Sequence, residues 1–215
     1  MDQYHKIDTV YKRTPDGKLL LGEWSRPEFE YLKDCRWVGT EKVDGTNIRV
    51  IWRRGQSVEF KGKTDRAQMY VPLFAELQRL FPLDLLDRAI EESKADSLTL
   101  YGEGYGARVQ KGSGNYIPDG VSFVLFDVRA GDFWLGRDAV QDVAGSLGVP
   151  IVPEMFRGTL TNGINCVSEG ITSTWGDFEA EGMVFRPATE LQDRAGRRII
   201  AKSKTKDFNR IAEKD

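Results

Sequence analysis

The sequence predicts an α+β protein whose sheets are mainly antiparallel. Two observations carry this: strand-like stretches outnumber helical ones, and few of them are joined by crossover helices. Turn residues, rather than helices, separate several neighbouring strands.

The elements follow in order. Residues 1–35 are polar with scattered aromatics, and Pro15-Asp16-Gly17 reads as a turn. Strand-like stretches run Trp37–Glu41, Asn47–Trp52 and Ser57–Phe60, with Arg53-Arg54-Gly55 as the hairpin turn between the last two. From Leu73 to Glu92, Phe74, Leu77, Leu80 and Phe81, then Leu83, Leu86 and Ile90, recur at helical spacing, and Pro82 should split the run into two helices. Strands at Ser97–Glu103 and Val121–Arg129 flank a glycine-rich loop. Arg137–Leu147 is an amphipathic helix stopped by Gly148-Val149-Pro150. Strands at Ile151–Phe156, Gly182–Arg186 and Arg198–Lys202 follow, and Asp207–Lys214 reads as a terminal helix. No repeat, low-complexity segment or linker divides the chain, so a single domain over 1–215 is expected.

Composition excludes several kinds of chemistry. No apolar run approaches the ~20 residues of a membrane span, and the N-terminal stretch lacks the apolar core of a secretory signal. Two cysteines, Cys35 and Cys166, make no disulfide scaffold, so a reducing, intracellular (cytoplasmic) setting is expected. The only histidine is His5, which removes histidine triads and two-histidine metal sites. The net charge of −2 advertises no nucleic-acid binding, so any basic surface must be local.

Five segments remain as candidates for chemistry. In Glu41-Lys42-Val43-Asp44-Gly45-Thr46-Asn47, a lysine leaving a strand precedes a carboxylate and a glycine that lets backbone approach a phosphate. A hairpin turn with solvated charges explains the same string. Tyr101-Gly102-Glu103-Gly104-Tyr105-Gly106 ends a strand, and Glu103 is placed to meet a ribose hydroxyl or is an incidental loop carboxylate. In Val121–Val128, alternation puts Ser122, Val124, Phe126 and Val128 on one face, with Phe126 as core or as a base-stacking ring. Glu181 opens an otherwise apolar strand, Glu181–Pro187, where a carboxylate needs a reason. Lys202 and Lys204 share a strand face and repel unless an anion lies between them, although lysines also guard exposed edge strands.

Taken in this order, Lys42, Glu103, Phe126, Glu181 and Lys202/Lys204 resemble the successive motifs of the covalent nucleotidyltransferases, the superfamily of polynucleotide ligases and mRNA capping enzymes. The resemblance spans about Trp37 to Phe208. The Glu41–Asn47 string, and Gly102–Gly106 followed by Gln110-Lys111-Gly112, look most like phage-type ATP-dependent RNA ligases of the second class. The resemblance implies a nucleotidyltransferase (ATP-grasp-like ligase) domain with a nucleotide pocket between two antiparallel sheets. It implies Lys42 as the nucleophile that takes AMP from ATP, passes it to an RNA 5′-phosphate and lets a 3′-hydroxyl displace it. Glu103 would hold the ribose, Phe126 would stack on adenine and Val184 would pack on the base's other face. Glu41, by side chain or backbone, would help read the adenine edge. Asp44, Gly45 and Asn47 belong to the same nucleotide-binding string. Lys202 and Lys204 would contact the phosphates and, as cations, disfavour the Lys42 ammonium. Mg²⁺ (or Mn²⁺) is expected, with Glu181 first and Asp44 second as its contacts.

Two departures qualify the match. Relatives carry an arginine after the lysine motif, where this chain has Phe60-Lys61-Gly62-Lys63-Thr64-Asp65-Arg66; Lys63 is the expected substitute, with Arg66 open. Only 11 residues follow Lys204 and 41 precede Lys42, too few for an OB, helical or NAD-ligase module. The expectation is a minimal, monomeric RNA-repair ligase, phage-like, gripping RNA ends through Arg108, Lys111, the Arg194–Arg198 segment and the C-terminal tail. The alternatives are a DNA ligase or guanylyltransferase core with a partner domain, or a non-catalytic RNA-end-binding module.

Overall fold

The structure, a computed structural model, describes residues 3–211 except 91–94. Its elements are β1 (Asp8–Thr9), β2 (Tyr11–Arg13), β3 (Leu19–Trp24), α1 (Pro27–Leu32), β4 (Trp37–Glu41), β5 (Thr46–Arg53), β6 (Glu59–Lys61), α2 (Val71–Leu80), α3 (Leu83–Ile90), β7 (Ser97–Gly106), β8 (Val121–Ala130), β9 (Phe133–Trp134), α4 (Arg137–Leu147), β10 (Glu154–Gly158), α5 (Leu160–Glu169), β11 (Gly182–Pro187) and β12 (Ala201–Lys204). Contacts cluster in two compact units. One holds residues 1–5 and 44–152, the other 6–43 and 153–215, so the chain passes from one to the other between Val43 and Asp44.

The first unit is a sheet of order β6-β5-β7-β8-β9, antiparallel throughout. Helices α2, α3 and α4 belong to the same unit. Proline near its start and an apolar stripe form α2; Leu73 and Leu77 are fully buried, whereas Phe74 of the predicted stripe is 39% exposed. Pro82 separates α2 from α3 as predicted, and the predicted end at Glu92 lies outside the described residues. Helix α4 matches its predicted bounds, and Gly148 closes it in a left-handed conformation at φ 65°. Val140, Ala144 and Leu147 of α4 join Ile48, Val50, Leu100, Phe123 and Leu125 in one core. Each large side chain of this kind contributes about 1.5–3 kcal/mol by leaving water.

The predicted alternation of β8 fails at its centre. Tyr101 pairs with Asp127 and Gly102 with Leu125, so Phe126 is the extra residue of a bulge. Phe123, Val124 and Leu125 are all buried, as are Asp127 and Val128, while Phe126 is only partly so. A bulge inserts one residue and re-aims its side chain, and no period-two pattern reveals it.

The second unit is a sheet of order β1-β12-β11-β4-β10, in which β1 runs parallel to β12 and the other pairs are antiparallel. A hairpin of β2 and β3 turns at the predicted Pro15-Asp16-Gly17, where Gly17 has φ 85°. Helices α1 and α5 complete this unit. Helix α5 is not apparent in the sequence, because Thr, Asn, Gly and Ser fill half of it. Its signals are Thr159, whose hydroxyl accepts from Asn162 N–H at 3.2 Å, and the buried spacing Leu160, Ile164, Val167. Gly163 lets α5 lie flat on the sheet: a Cβ there would stand 2.5 Å from the Phe185 ring and 3.0 Å from Phe156.

Three other boundaries move. The strand expected at Ile151–Phe156 begins at Glu154, and Ile151 makes only an isolated bridge to Leu125. The strand expected at Arg198–Lys202 is β12, two to three residues later. In place of a terminal helix from Asp207 there is a single 3₁₀ turn, Thr205–Asp207, and the rest of that expected helix, from residue 212 on, lies outside the described residues.

Candidate active site

Three neighbouring strand ends of the second unit bring three charges together. Lys42 follows β4, and its N–H donates to Gly182 O at 2.9 Å, extending the β4–β11 ladder. Glu181 precedes β11, and its carbonyl accepts from Thr205 N–H at 3.0 Å. Lys204 ends β12, opposite Gly182. The Lys42 ammonium hydrogen-bonds one oxygen of Glu181, and the Lys204 ammonium lies 2.5 Å from the other. Glu181 is 13% exposed, Lys42 22% and Lys204 24%, so the cluster is sheltered yet open to a ligand. Glu181 thus supplies an anion between Lys204 and Lys42, where the sequence called for one between Lys204 and Lys202.

Burial pushes the Glu181 carboxyl up, but the charge of Lys42 and the hydrogen bonds from Lys204 and Lys42 outweigh it and hold the group below its ordinary range. A carboxyl depressed by folding stabilises the fold above its unfolded value, and that contribution is lost as pH falls through the folded value. The cluster is therefore intact at neutral pH and weakens on acidification.

Register sets the rest of this face. Val184 lies opposite both Thr40 and Lys202, and along β12 Ala201 and Ser203 are buried while Lys202 and Lys204 are partly exposed. Lys202 and Lys204 therefore share a face, as expected, and Val184 lies on it too. Glu41 points the other way and is 1% exposed. Its carboxylate accepts from Ser173 Oγ (2.6 Å), Thr174 N–H (3.0 Å) and Thr174 Oγ1 (2.9 Å). These bonds occupy the side chain, so the expected contact of Glu41 with a base narrows to its backbone. Glu41 ties β4 to the segment leading into Glu181, a role the sequence did not disclose.

Gly182 makes the cluster possible. At φ 150° it brings β11 so close to β12 that a Cβ would stand 2.0 Å from Ser203 O. Gly182→Ala should cost about 1–3 kcal/mol through this backbone clash and separate Glu181 from Lys204. Thermal unfolding of the variant checks it; an unchanged Tm would show that the close approach is not required.

In the first unit, Gly45 packs its backbone on β7, where a Cβ would lie 2.3 Å from Gly104 O and 2.9 Å from Glu103 Cγ. Asn47 stands opposite Glu103 in the β5–β7 register, and its Oδ1 is buried without a hydrogen-bond partner among the described residues. A buried acceptor of this kind calls for a donor. Asp44 N–H donates to Tyr116 Oη at 3.2 Å, which docks the loop after β7 beside the motif. That loop carries the exposed Arg108 and Lys111; Arg108 adopts φ 64°, and the buried Ser113 hydroxyl pins the loop by accepting from Gly106 N–H at 2.7 Å. Lys63 and Arg66 are exposed on the loop after β6.

The fully buried Arg49 anchors that loop through Gly62 O (2.9 Å) and Asp65 Oδ1 (2.8 Å). Its signal, a charge inside the apolar run Ile48–Trp52, was legible. Phe126, in its bulge, meets the ring of Tyr4 edge-on at 5.1 Å, and Tyr4 Oη donates to the buried Asp127 at 2.8 Å. Among the described residues no three His, Cys, Asp or Glu group together as a metal cluster.

The α+β fold thus holds a lysine at neighbouring strand ends by a carboxylate that is itself shared with a second lysine. The profile of the RNA ligase family matches residues 36–204, and the chain belongs to that family. No curated protein matches the chain. Solved structures of the Naegleria gruberi RNA ligase share its fold. A variant with AMP and Mn is 18% identical with a TM-score of 0.62, covering 85% of this chain and 53% of that one. A variant with ATP and Mn is 18% identical with a TM-score of 0.64, covering 94% and 61%. The form with pyrophosphate is 18% identical with a TM-score of 0.63, covering 95% and 62%. The chain thus corresponds to between half and two thirds of the Naegleria chains.

Proposed function

We propose that the protein is an ATP-dependent RNA ligase that joins 5′-phosphate and 3′-hydroxyl RNA ends. The observation that carries this reading is the Lys42–Glu181–Lys204 cluster, a sheltered amine held in place by a carboxylate with a second cation at hand. Family membership and the ATP, AMP and pyrophosphate complexes of the Naegleria enzyme support it.

In the first step, Lys42 Nζ, having lost a proton, attacks the α-phosphorus of ATP. A P–N bond forms, the bond to the bridging oxygen breaks and pyrophosphate leaves. Glu181 orients the amine, and Lys202 and Lys204 stabilise charge gathering on the phosphate oxygens. An RNA 5′-phosphate oxygen then displaces the lysine, and a 3′-hydroxyl displaces AMP to form the phosphodiester. Glu103 and Asn47 hold the ribose, whose hydroxyl supplies the donor that Asn47 Oδ1 lacks. Phe126 stacks on adenine, and Val184, Gly45 and the Glu41 backbone are further nucleotide contacts. Lys63 takes the arginine's place, while Arg108 and Lys111 contact RNA phosphates.

The carboxylate of Glu181, or in second place that of Asp44, is a hard oxygen donor that would suit Mg²⁺ or Mn²⁺, an ion that takes few carboxylates and keeps its waters. When bound, it would offset the charge of the triphosphate and of the departing pyrophosphate.

Incubation with α-labelled ATP, GTP or NAD and Mg²⁺ tests the reading. Label that survives denaturation is expected from ATP. Label from GTP alone overturns it in favour of a guanylyltransferase, and none from any nucleotide favours an RNA-end-binding module.

A further inference from the structure

The second unit carries a groove of about 720 Å³, walled by α1 on one side and by the turn before β12 on the other. Its walls include Tyr31, Leu32, Leu191, Arg194, Arg197 and Ile199. Tyr31 is 88% exposed and Leu191 37%, an aromatic ring and an aliphatic surface left to water on either side of one groove. Together they offer a ligand an aromatic face and an aliphatic one across the same groove.

The groove is preformed. Gln192 and Arg198 bridge as an antiparallel pair, and Gly196 turns the chain between them at φ 75°. Inside the turn, the Asp193 carboxylate accepts from the N–H groups of Ala195 and Arg197, both at 2.9 Å. The same carboxylate accepts from Arg26, the residue just before α1, at 2.9 Å. Arg26 therefore bolts the two walls together.

Charge identifies the occupant. The two carboxylates of the lining are already neutralised: Glu28 by Arg26 at 3.2 Å, and Asp193 by Arg26 at 2.9 Å and Arg197 at 2.7 Å. Arg194 is exposed on the turn and has no ion-pair partner among the described residues. A rigid cationic turn facing an open tyrosine suits a phosphate backbone with an unpaired base, since every base presents a face for stacking and an arginine a fork for phosphate. Ile199, in the groove wall, is joined to Lys204 by extended chain spanning at most about 17 Å.

We propose that this groove is a second contact for the RNA strand, in which one unpaired base stacks on Tyr31 against Leu191 and a flanking phosphate meets Arg194. The inference rests on the RNA-ligase reading, and it assigns that substrate a grip away from the reacting ends. Neither Tyr31 nor Arg194 belongs to the lysine cluster or the proposed nucleotide contacts, so both are dispensable for reaction with ATP.

The test titrates a fluorescent, 5′-phosphorylated single-stranded RNA against the wild type, Tyr31→Ala, Tyr31→Phe and Arg194→Ala, and measures covalent label from ATP on the same preparations. Tyr31→Ala should weaken binding about 5- to 50-fold and Tyr31→Phe hardly at all, because the ring and not the hydroxyl does the stacking. Arg194→Ala should weaken binding and lower the slope of affinity against salt by about one phosphate contact. All variants should take label from ATP as the wild type does. Unchanged RNA binding in Tyr31→Ala and Arg194→Ala, or equal losses in Tyr31→Ala and Tyr31→Phe, overturns the proposal. So does concentration-dependent self-association without RNA that Tyr31→Ala abolishes, which assigns the groove to a second copy of the chain. Failure of the wild type to take label from ATP counts against the ligase reading instead, and the RNA titrations still decide the groove.

Discussion

Lys42→Ala should lose covalent labelling from ATP by at least about 10³-fold, because no second nucleophile replaces an amine that forms the bond itself. The fold should survive. Lys42 N–H still donates to Gly182 O, since that bond belongs to the backbone, and Glu181 keeps Lys204 at 2.5 Å. Removing one partly exposed partner of an ion pair costs about 1 kcal/mol. The variant should still seal RNA supplied with its 5′ end already adenylated, because that step needs the phosphate contacts and not the amine. The two assays therefore separate chemistry from folding. A variant that still takes label places the nucleophile elsewhere; one that neither labels nor seals while remaining folded makes Lys42 a binding residue instead.

Glu181→Ala should slow labelling by about 10²- to 10³-fold with the fold preserved. The physical reason is the pair of cations it leaves behind. Lys42 and Lys204 approach the same carboxylate from opposite oxygens, so without it two ammonium groups face each other in a sheltered corner. That repulsion should cost about 1–3 kcal/mol and displace the nucleophile. The pH dependence is a second readout. In the wild type, Glu181 contributes stability at neutral pH that is lost on acidification, because its folded carboxyl lies below the ordinary range. Glu181→Gln should flatten that part of the stability profile. Labelling that is unaltered in Glu181→Ala across a Mg²⁺ titration contradicts both the orienting and the metal role.

What the sequence disclosed, and what it hid, divides along physical lines. Lys42, Glu181 and Lys204 were legible because charges at the ends of apolar strands need partners, and the structure supplies those partners from one another. The bounds of α4 were legible because apolar spacing and the stop at Gly148 coincide there. Phe126 was found, but its orientation was not, since the bulge in β8 leaves no mark on a period-two pattern. Helix α5 was hidden by poor helix formers that tertiary packing overrides: Gly163 is there for the nearness of Phe185 and Phe156. The role of Glu41 was hidden for another reason. Its partners, Ser173 and Thr174, stand more than 130 residues away in an irregular segment, and no local pattern links such positions. The Tyr31–Arg194 groove joins residues equally remote in the chain.

Mapping the adduct by fragmentation mass spectrometry after incubation with ATP and Mg²⁺ tests the central claim most directly. One adenylate bound through phosphorus to the side chain of Lys42 is the expected result. An adenylate on Lys202, Lys204 or any other residue, or an unmodified chain after full exposure to nucleotide, would contradict the account.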